Sequence, residues 1–300
     1  MSISIQHLSK RYGNFAAVDD VSIEIPSGSV FGLLGPNGAG KTTTFKCLLG
    51  LAGATSGQVF FDGKPLVPES FERIAYVPER SVLYEWMNVR DHLEMQRRAF
   101  SRFNPRRAEE LLQLFSLDQR KRVRSMSKGM RTALSVVLAF AIEPEIMVLD
   151  EPTSGLDPVN QRSVLKLIID ASAQGTTIVL SSHQIGQVER AADHIAVLQG
   201  GRVILGGAVD DLKADSKIVE GIFATETVTM NGLTGDKRIT RVEQTGRIVR
   251  LTVSGDSESI AQRLAAMGAQ SVRIVDLNLE DIFLNAVDPG VQTADVVESV

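Results

Sequence analysis

The chain has 300 residues, 43% hydrophobic and 23% charged, with a formal net charge of −4 and one cysteine, Cys47. That is enough apolar material for one large domain or two smaller ones, and a lone cysteine excludes a disulfide framework and fits a reducing cytosolic setting. The acidic balance argues against a dedicated nucleic-acid binder. The longest apolar run, ALSVVLAFAI at 133–142, falls well short of the ~20 residues of a membrane span.

The N-terminus, MSISIQHLSKRYG, lacks an apolar core of signal-peptide length. Residues 1–34 alternate in strand fashion (Ile3, Ile5, then Val21, Ile23, Ile25), with turns at Gly13-Asn14 and Pro26-Ser27-Gly28. The apolar run SVFGLLG predicts a buried strand feeding GPNGAGKTT at 35–43, and a helix is expected from Thr42 to Leu49. The segment Gly35, Pro36, Asn37, Gly38, Ala39, Gly40, Lys41, Thr42, Thr43 satisfies G-x-x-x-x-G-K-[ST]. Its glycines let the backbone wrap phosphate oxygens, so that N–H groups and the helix N-terminus point at the anion. Lys41 then reaches the terminal phosphates, and the Thr42 hydroxyl is placed to ligate Mg²⁺.

Residues 57–77 predict further strands around the Asp62-Gly63 turn, and about 88–142 reads as helical, with Asn104-Pro105 ending one helix and opening another. Within SMSKGMRTAL, Ser127 is expected to cap a helix whose free N–H groups offer an anion site. After residue 145, IMVLD, TIVLSS and HIAVLQ are short buried strands, and the segments after Pro158 and Gln184 are helical. Such alternation predicts an α/β fold with a mostly parallel sheet covered by helices. A composition shift near 214–217 separates off a hairpin, a helix, a strand and a short helix. This is an α+β module of roughly 70 residues over 216–287, following a first domain at 1–215. The tail from Asp288 has no packing period and is expected to be disordered.

The strand IMVLD ends in Asp150-Glu151. Asp150 is expected beside the phosphate loop, holding Mg²⁺ directly or through water, and Glu151 can polarise a water attacking a γ-phosphate. The loop PTSGLDP carries Gly155 and Asp157, and His183 follows another strand. In such sheets the strand C-termini converge on the ligand crevice.

With these motifs in this order over residues 1 to about 215, the chain resembles the nucleotide-binding subunit of an ATP-binding cassette (ABC) transporter. The resemblance implies a P-loop NTPase cassette with an antiparallel β subdomain and a helical subdomain. Its motifs would be the phosphate loop at 35–43, a signature loop at 126–131, the Asp-Glu strand at 146–151, an SGLD loop at 154–157 and switch His183. Tyr12 matches the aromatic that stacks on adenine. The family mechanism packs two cassettes head to tail, as a homodimer or with a paired subunit, so that Ser127 and Gly129 of one face the ATP of the other. A separate transmembrane permease does the passage, and the cassette sits peripherally on the cytoplasmic face of the cell membrane. The C-terminal module, ending NLEDIFLNAV, resembles the extension on bacterial cassettes that serve ABC-2-type exporters.

Two motifs depart from the family pattern. Lys128 and Met130 stand where glycine and glutamine are usual. Glu79 stands in place of the glutamine that senses Mg²⁺ and contacts the permease, and on the resemblance it is a metal and catalytic candidate. Residues 97–131 hold eleven Arg/Lys against three Asp/Glu, either a solvated helical face or a surface for anionic lipid or acidic permease loops. The alternative, a soluble ABC-type ATPase outside transport, predicts two cassettes in one chain or a long coiled-coil insertion. Only 109 residues separate Lys41 from Asp150, with no such insertion between them. The GTPase signature N-K-x-D is absent.

Overall fold

The computed structural model describes residues 1–226, 233 and 235–287. The expectation for the tail at 288–300 lies outside the described residues. The backbone divides into two compact units, Met1–Gly206 and Gly207–Val300.

The first unit opens with β1 (Ile3–Tyr12) and β2 (Phe15–Ile25), which pair antiparallel with Ile3 opposite Ile25 and Ile5 opposite Ile23. That register puts the four isoleucines on one face, and all four are buried. Next come β3 (Val30–Leu34), α1 (Lys41–Leu48), β4 (Ser56–Phe61) and the short β5 (Lys64–Pro65). The antiparallel sheet has the order β2-β1-β4-β5. After β6 (Ile74–Val77) the chain is helical: α2 (Val89–Ala99), α3 (Pro105–Leu114) and α4 (Lys128–Ala141). Asn88 and Asn104 cap α2 and α3 by accepting from Asp91 N and Arg107 N, and Pro105 opens α3, where a missing N–H costs nothing.

The unit continues through β7 (Ile146–Asp150), α5 (Pro158–Ala173), β8 (Thr177–Ser181), α6 (Ile185–Ala191), β9 (His194–Gln199) and β10 (Arg202–Ala208). The larger sheet runs β10-β9-β3-β8-β7-β6, with β9, β3, β8, β7 and β6 parallel. Its inner strands β3, β7 and β8 are buried along their whole length. Phe31, Leu33, Ile146, Val148 and Val179 join the core formed with the antiparallel sheet and Phe45 of α1. The alternate residues face helices: a Cβ on Gly32 would stand 2.4 Å from the Val188 side chain, so only glycine lets α6 lie this close to β3.

The second unit holds α7 (Val209–Asp215), β11 (Ser216–Ile222), β12 (Ile239–Thr245), β13 (Ile248–Ser254), α8 (Ser257–Ala266), β14 (Ser271–Asp276) and α9 (Leu279–Val287). Its sheet, β12-β13-β11-β14, is antiparallel, and Val219, Val249, Leu251 and Val253 pack with Ile260 and Leu264 of α8. The predicted hairpin, helix, strand and last helix are all present. The strand β11 was not anticipated, and it lies inside the sheet.

Candidate functional site

The turn from β3 into α1 is built on glycines that nothing else can replace. Gly35 has φ +149° and a Cβ there would stand 2.3 Å from the Leu198 carbonyl oxygen; Gly40 has φ +107° and would meet the Ala17 oxygen at 2.4 Å. The loop closes through Ala39 N–H donating to the Pro36 carbonyl at 3.2 Å. Lys41 Nζ donates to the carbonyls of Gly35 and Pro36 at 2.7 and 3.1 Å, so the ammonium is held inside the loop. Burial pulls the Lys41 pKa down, and the carboxylates of Glu151, Asp150 and Glu79 oppose that shift.

Asp150 ends β7 at 1% exposure. It accepts from the Thr42 hydroxyl at 2.7 Å and from the Ser181 hydroxyl at 2.5 Å, one from α1 and one from β8. Sequence reasoning did not single out Ser181, which registers directly opposite Asp150. Glu151, the next residue, has φ +52°, a left-handed conformation that costs a non-glycine residue of order 1–3 kcal/mol. Its N–H points at the Ser181 carbonyl and hydroxyl at 3.3 and 3.2 Å, and its Oε2 lies 2.7 Å from His183 Nδ1. Burial pushes the Glu151 carboxyl above the ordinary range, against the pull of His183 and Lys41. A carboxylate raised this way is the better proton acceptor near neutral pH.

These groups share one open cleft of about 490 Å³, bordered by Phe15, Ala17, residues 37–43, Glu79, Asp150, Glu151, Ser154 and His183. The expected catalytic set, Lys41, Glu79, Glu151 and His183, is therefore together. The oxygen donors Thr42, Asp150 and Glu79 suit a hard cation such as Mg²⁺. Among the described residues no group of three or more His, Cys, Asp or Glu side chains forms a self-sufficient metal cage.

Six expected residues lie outside the residues bordering this cleft: Gly35 and Pro36 at the start of the phosphate loop, and Tyr12, Ser127, Gly129 and Asp157. Tyr12 is half-exposed, faces Phe15 across the β1–β2 pairing, and carries Lys10 Nζ 4.9 Å from its ring centre. Phe15, 63% exposed and on the cleft border, was missed in the sequence; its signal is an aromatic just past the Gly13-Asn14 turn. Ser127 caps α4, accepting from Met130 N–H at 3.2 Å. Gly129 lies against the SGLD loop. Asp157 caps α5, accepting from the N–H groups of Val159 and Asn160 at 3.0 Å each, and those bonds, Asn160's above all, hold its carboxyl below the usual range.

The family model for ABC transporters matches residues 18–154, which includes the phosphate loop and the Asp-Glu strand. The uncharacterized ABC transporter ATP-binding protein YhaQ of Bacillus subtilis is 33% identical over 301 aligned residues, covering 95% of this chain and 98% of YhaQ. The Nod factor export ATP-binding protein I of Cupriavidus pinatubonensis is 35% identical, covering 94% of this chain and 89% of that protein. A solved ATP-binding subunit of an ABC transporter superimposes with a TM-score of 0.67 at 32% identity, over 71% of this chain and 92% of that one. With relatives this similar along nearly its whole length, the chain belongs to the ABC transporter family and is one of its ATP-binding subunits, the ATPases that drive transport.

Proposed function

We propose that two copies of this cassette, or one copy and a paired subunit, close around two Mg-ATP molecules, and that hydrolysis reopens them to drive export through a separate transmembrane permease. The observation that supports this most is a division of groups. Lys41, Asp150, Glu151 and His183 share one cleft, while Ser127 and Gly129 do not border it. A second copy supplies what the cleft lacks. Thr42, Asp150 and Glu79 would hold Mg²⁺, which when bound neutralises charge on the β- and γ-phosphates. Glu151 accepts the proton of the attacking water, and His183 holds its carboxylate through the 2.7 Å contact. Tyr12 and Phe15 offer aromatic faces to the base.

The export direction draws on the Nod factor export relative, at 35% identity over most of both chains. For the permease, the exposed Val82 and Trp86 (76% and 70%) lie in the segment that carries Glu79. The same segment is stitched to the basic loop at 119–124: Val123 N–H donates to the Met87 carbonyl and Arg124 N–H to that of Glu85. An apolar surface rimmed by arginines suits a permease loop of apolar and acidic character. No helix among the described residues is long and apolar enough to cross a membrane. The subunit would therefore sit peripherally on the cytoplasmic membrane face through its permease, with no dedicated nucleic-acid role. Turnover per subunit should rise with protein concentration if a dimer is the active form; turnover strictly proportional to protein would refute the dimer.

Stacking on Tyr12 and Phe15 serves any base, contributing about 1–3 kcal/mol with little preference. GTP should therefore support hydrolysis within about tenfold of ATP, or ~1.4 kcal/mol. A hundredfold preference would show that hydrogen bonds to adenine decide recognition.

Glu79 borders the cleft beside Asp150 and Glu151. Three carboxylates repel one another unless a cation is bound. Glu79→Gln keeps an oxygen ligand but removes a charge, so hydrolysis should persist with a higher Mg²⁺ concentration for half-maximal rate. Glu79→Ala should lose rate as well. Superimposable magnesium titrations of wild type and both variants would remove Glu79 from the metal site.

A further inference from the structure

The first turn of α4 grips the turn that follows β7. Lys128 Nζ donates to Ser154 Oγ at 2.8 Å, and Thr132, one helical turn on, donates its hydroxyl to the Ser154 carbonyl at 3.0 Å. The Ser154 N–H in turn donates to the Glu151 carbonyl at 3.0 Å. Ser154 is thus fixed by α4 on one side and closes the 151–154 turn on the other.

Two glycines make this approach sterically possible. A Cβ on Gly129 would stand 2.3 Å from the Gly155 carbonyl oxygen, so helix and loop touch backbone to backbone. A Cβ on Gly155 would stand 3.0 and 3.1 Å from Lys128 Cγ and Cδ, so the lysine stem runs over the glycine to reach Ser154. The glycine usual at position 128 in the family has no side chain to make that link. Meanwhile Glu151 keeps its left-handed backbone (φ +52°), a conformation that persists only where the surroundings over-determine it. Its own N–H is held by Ser181 on β8, and its carbonyl by Ser154.

We propose that Lys128 is a positioning residue for Glu151: by anchoring Ser154 to α4 it locks the 151–154 turn and keeps the Glu151 carboxylate aimed at His183 and the cleft. The inference rests on Glu151 being the base of ATP hydrolysis. It gives Lys128 a role within its own subunit, distinct from any contact with a partner's ATP.

The test compares wild type with Lys128→Ala, Lys128→Arg, Ser154→Ala and the Lys128→Ala/Ser154→Ala double variant, each checked for an unchanged melting temperature. Lys128→Ala should lower kcat about tenfold, the rate equivalent of one charged hydrogen bond, with the KM for ATP within about twofold. Ser154→Ala should do the same, the double variant should be no worse than either single one, and Lys128→Arg should recover most of the rate. A raised KM in Lys128→Ala beside a wild-type Ser154→Ala would place the lysine on a phosphate and overturn the clamp. A readout independent of turnover is amide hydrogen exchange at Ser154, followed by NMR. Exchange should quicken in Lys128→Ala, and an unchanged rate would overturn the clamp even if the protein hydrolyses ATP as expected.

Discussion

Glu151→Gln should bind Mg-ATP about as tightly as the wild type and lose at least ~10²-fold in turnover, the usual scale for removing a general base. The amide keeps the shape of the side chain but cannot accept the proton of the attacking water. Removing one negative charge beside the phosphates should also favour the closed, ATP-bound dimer, visible as earlier elution from a size-exclusion column with ATP. Stability should move the other way from activity. Burial raises the Glu151 carboxyl pKa in the folded protein, so the folded state holds that proton more tightly than the unfolded chain. The stabilisation from this group is complete below the unfolded carboxylate pKa and is lost as pH rises through the raised folded value. At neutral pH the variant should therefore melt higher than wild type, and the gap should close as pH falls through the raised value. Wild-type turnover in Glu151→Gln would end the assignment of base. A lower melting temperature at neutral pH would show that the bond to His183 outweighs the cost of burying the charge.

The phosphate loop was legible in the sequence because its residues encode backbone geometry directly. Gly35 and Gly40 stand where a Cβ would strike Leu198 and Ala17 carbonyls, and no other residue satisfies that constraint. Asp150 and Glu151 were legible because a run of buried apolar residues ending in two acids is a strand running out into a site. Contacts made by unremarkable residues from distant segments were not legible. Ser181 ends a strand that reads as apolar, yet it holds both Asp150 and the backbone of Glu151. Phe15 reads as one more strand residue until the β1–β2 pairing sets it opposite Tyr12. The inner strand β11 was hidden for an electrostatic reason. Its Glu220 is 4% exposed between Arg250 and Arg273, each at 2.7 Å, and those guanidiniums hold the carboxyl below its usual range. A charge in the middle of a short run breaks the alternation by which a strand is recognised, and the compensating arginines lie 30 and 53 residues further along.

Mixing two inactive variants should restore hydrolysis. Lys41→Ala removes the ammonium held at 2.7 Å inside the phosphate loop, so a dimer of this variant has two disabled sites. Ser127→Arg disables the other half. Ser127 caps α4 through its bond from Met130 N–H, and a long cation there both removes that cap and crowds the surface proposed to meet the partner. Each homodimer should therefore be nearly dead, for different reasons. In the mixed dimer, one interface joins both defects. The other joins the intact phosphate loop of the Ser127→Arg subunit to the intact signature helix of the Lys41→Ala subunit. Random pairing of equal amounts leaves about a quarter of all sites intact, because half the dimers are mixed and each keeps one of two. Phosphate release should accordingly climb well above either parent, and should do so only after the subunits have had time to exchange. A lost cap costs about 1 kcal/mol, so the Ser127→Arg protein should melt somewhat lower than the wild type and must first be shown to be folded at the assay temperature. If mixtures of folded variants only add their separate activities at every ratio, each subunit works alone, and Ser127 does not serve a partner's ATP.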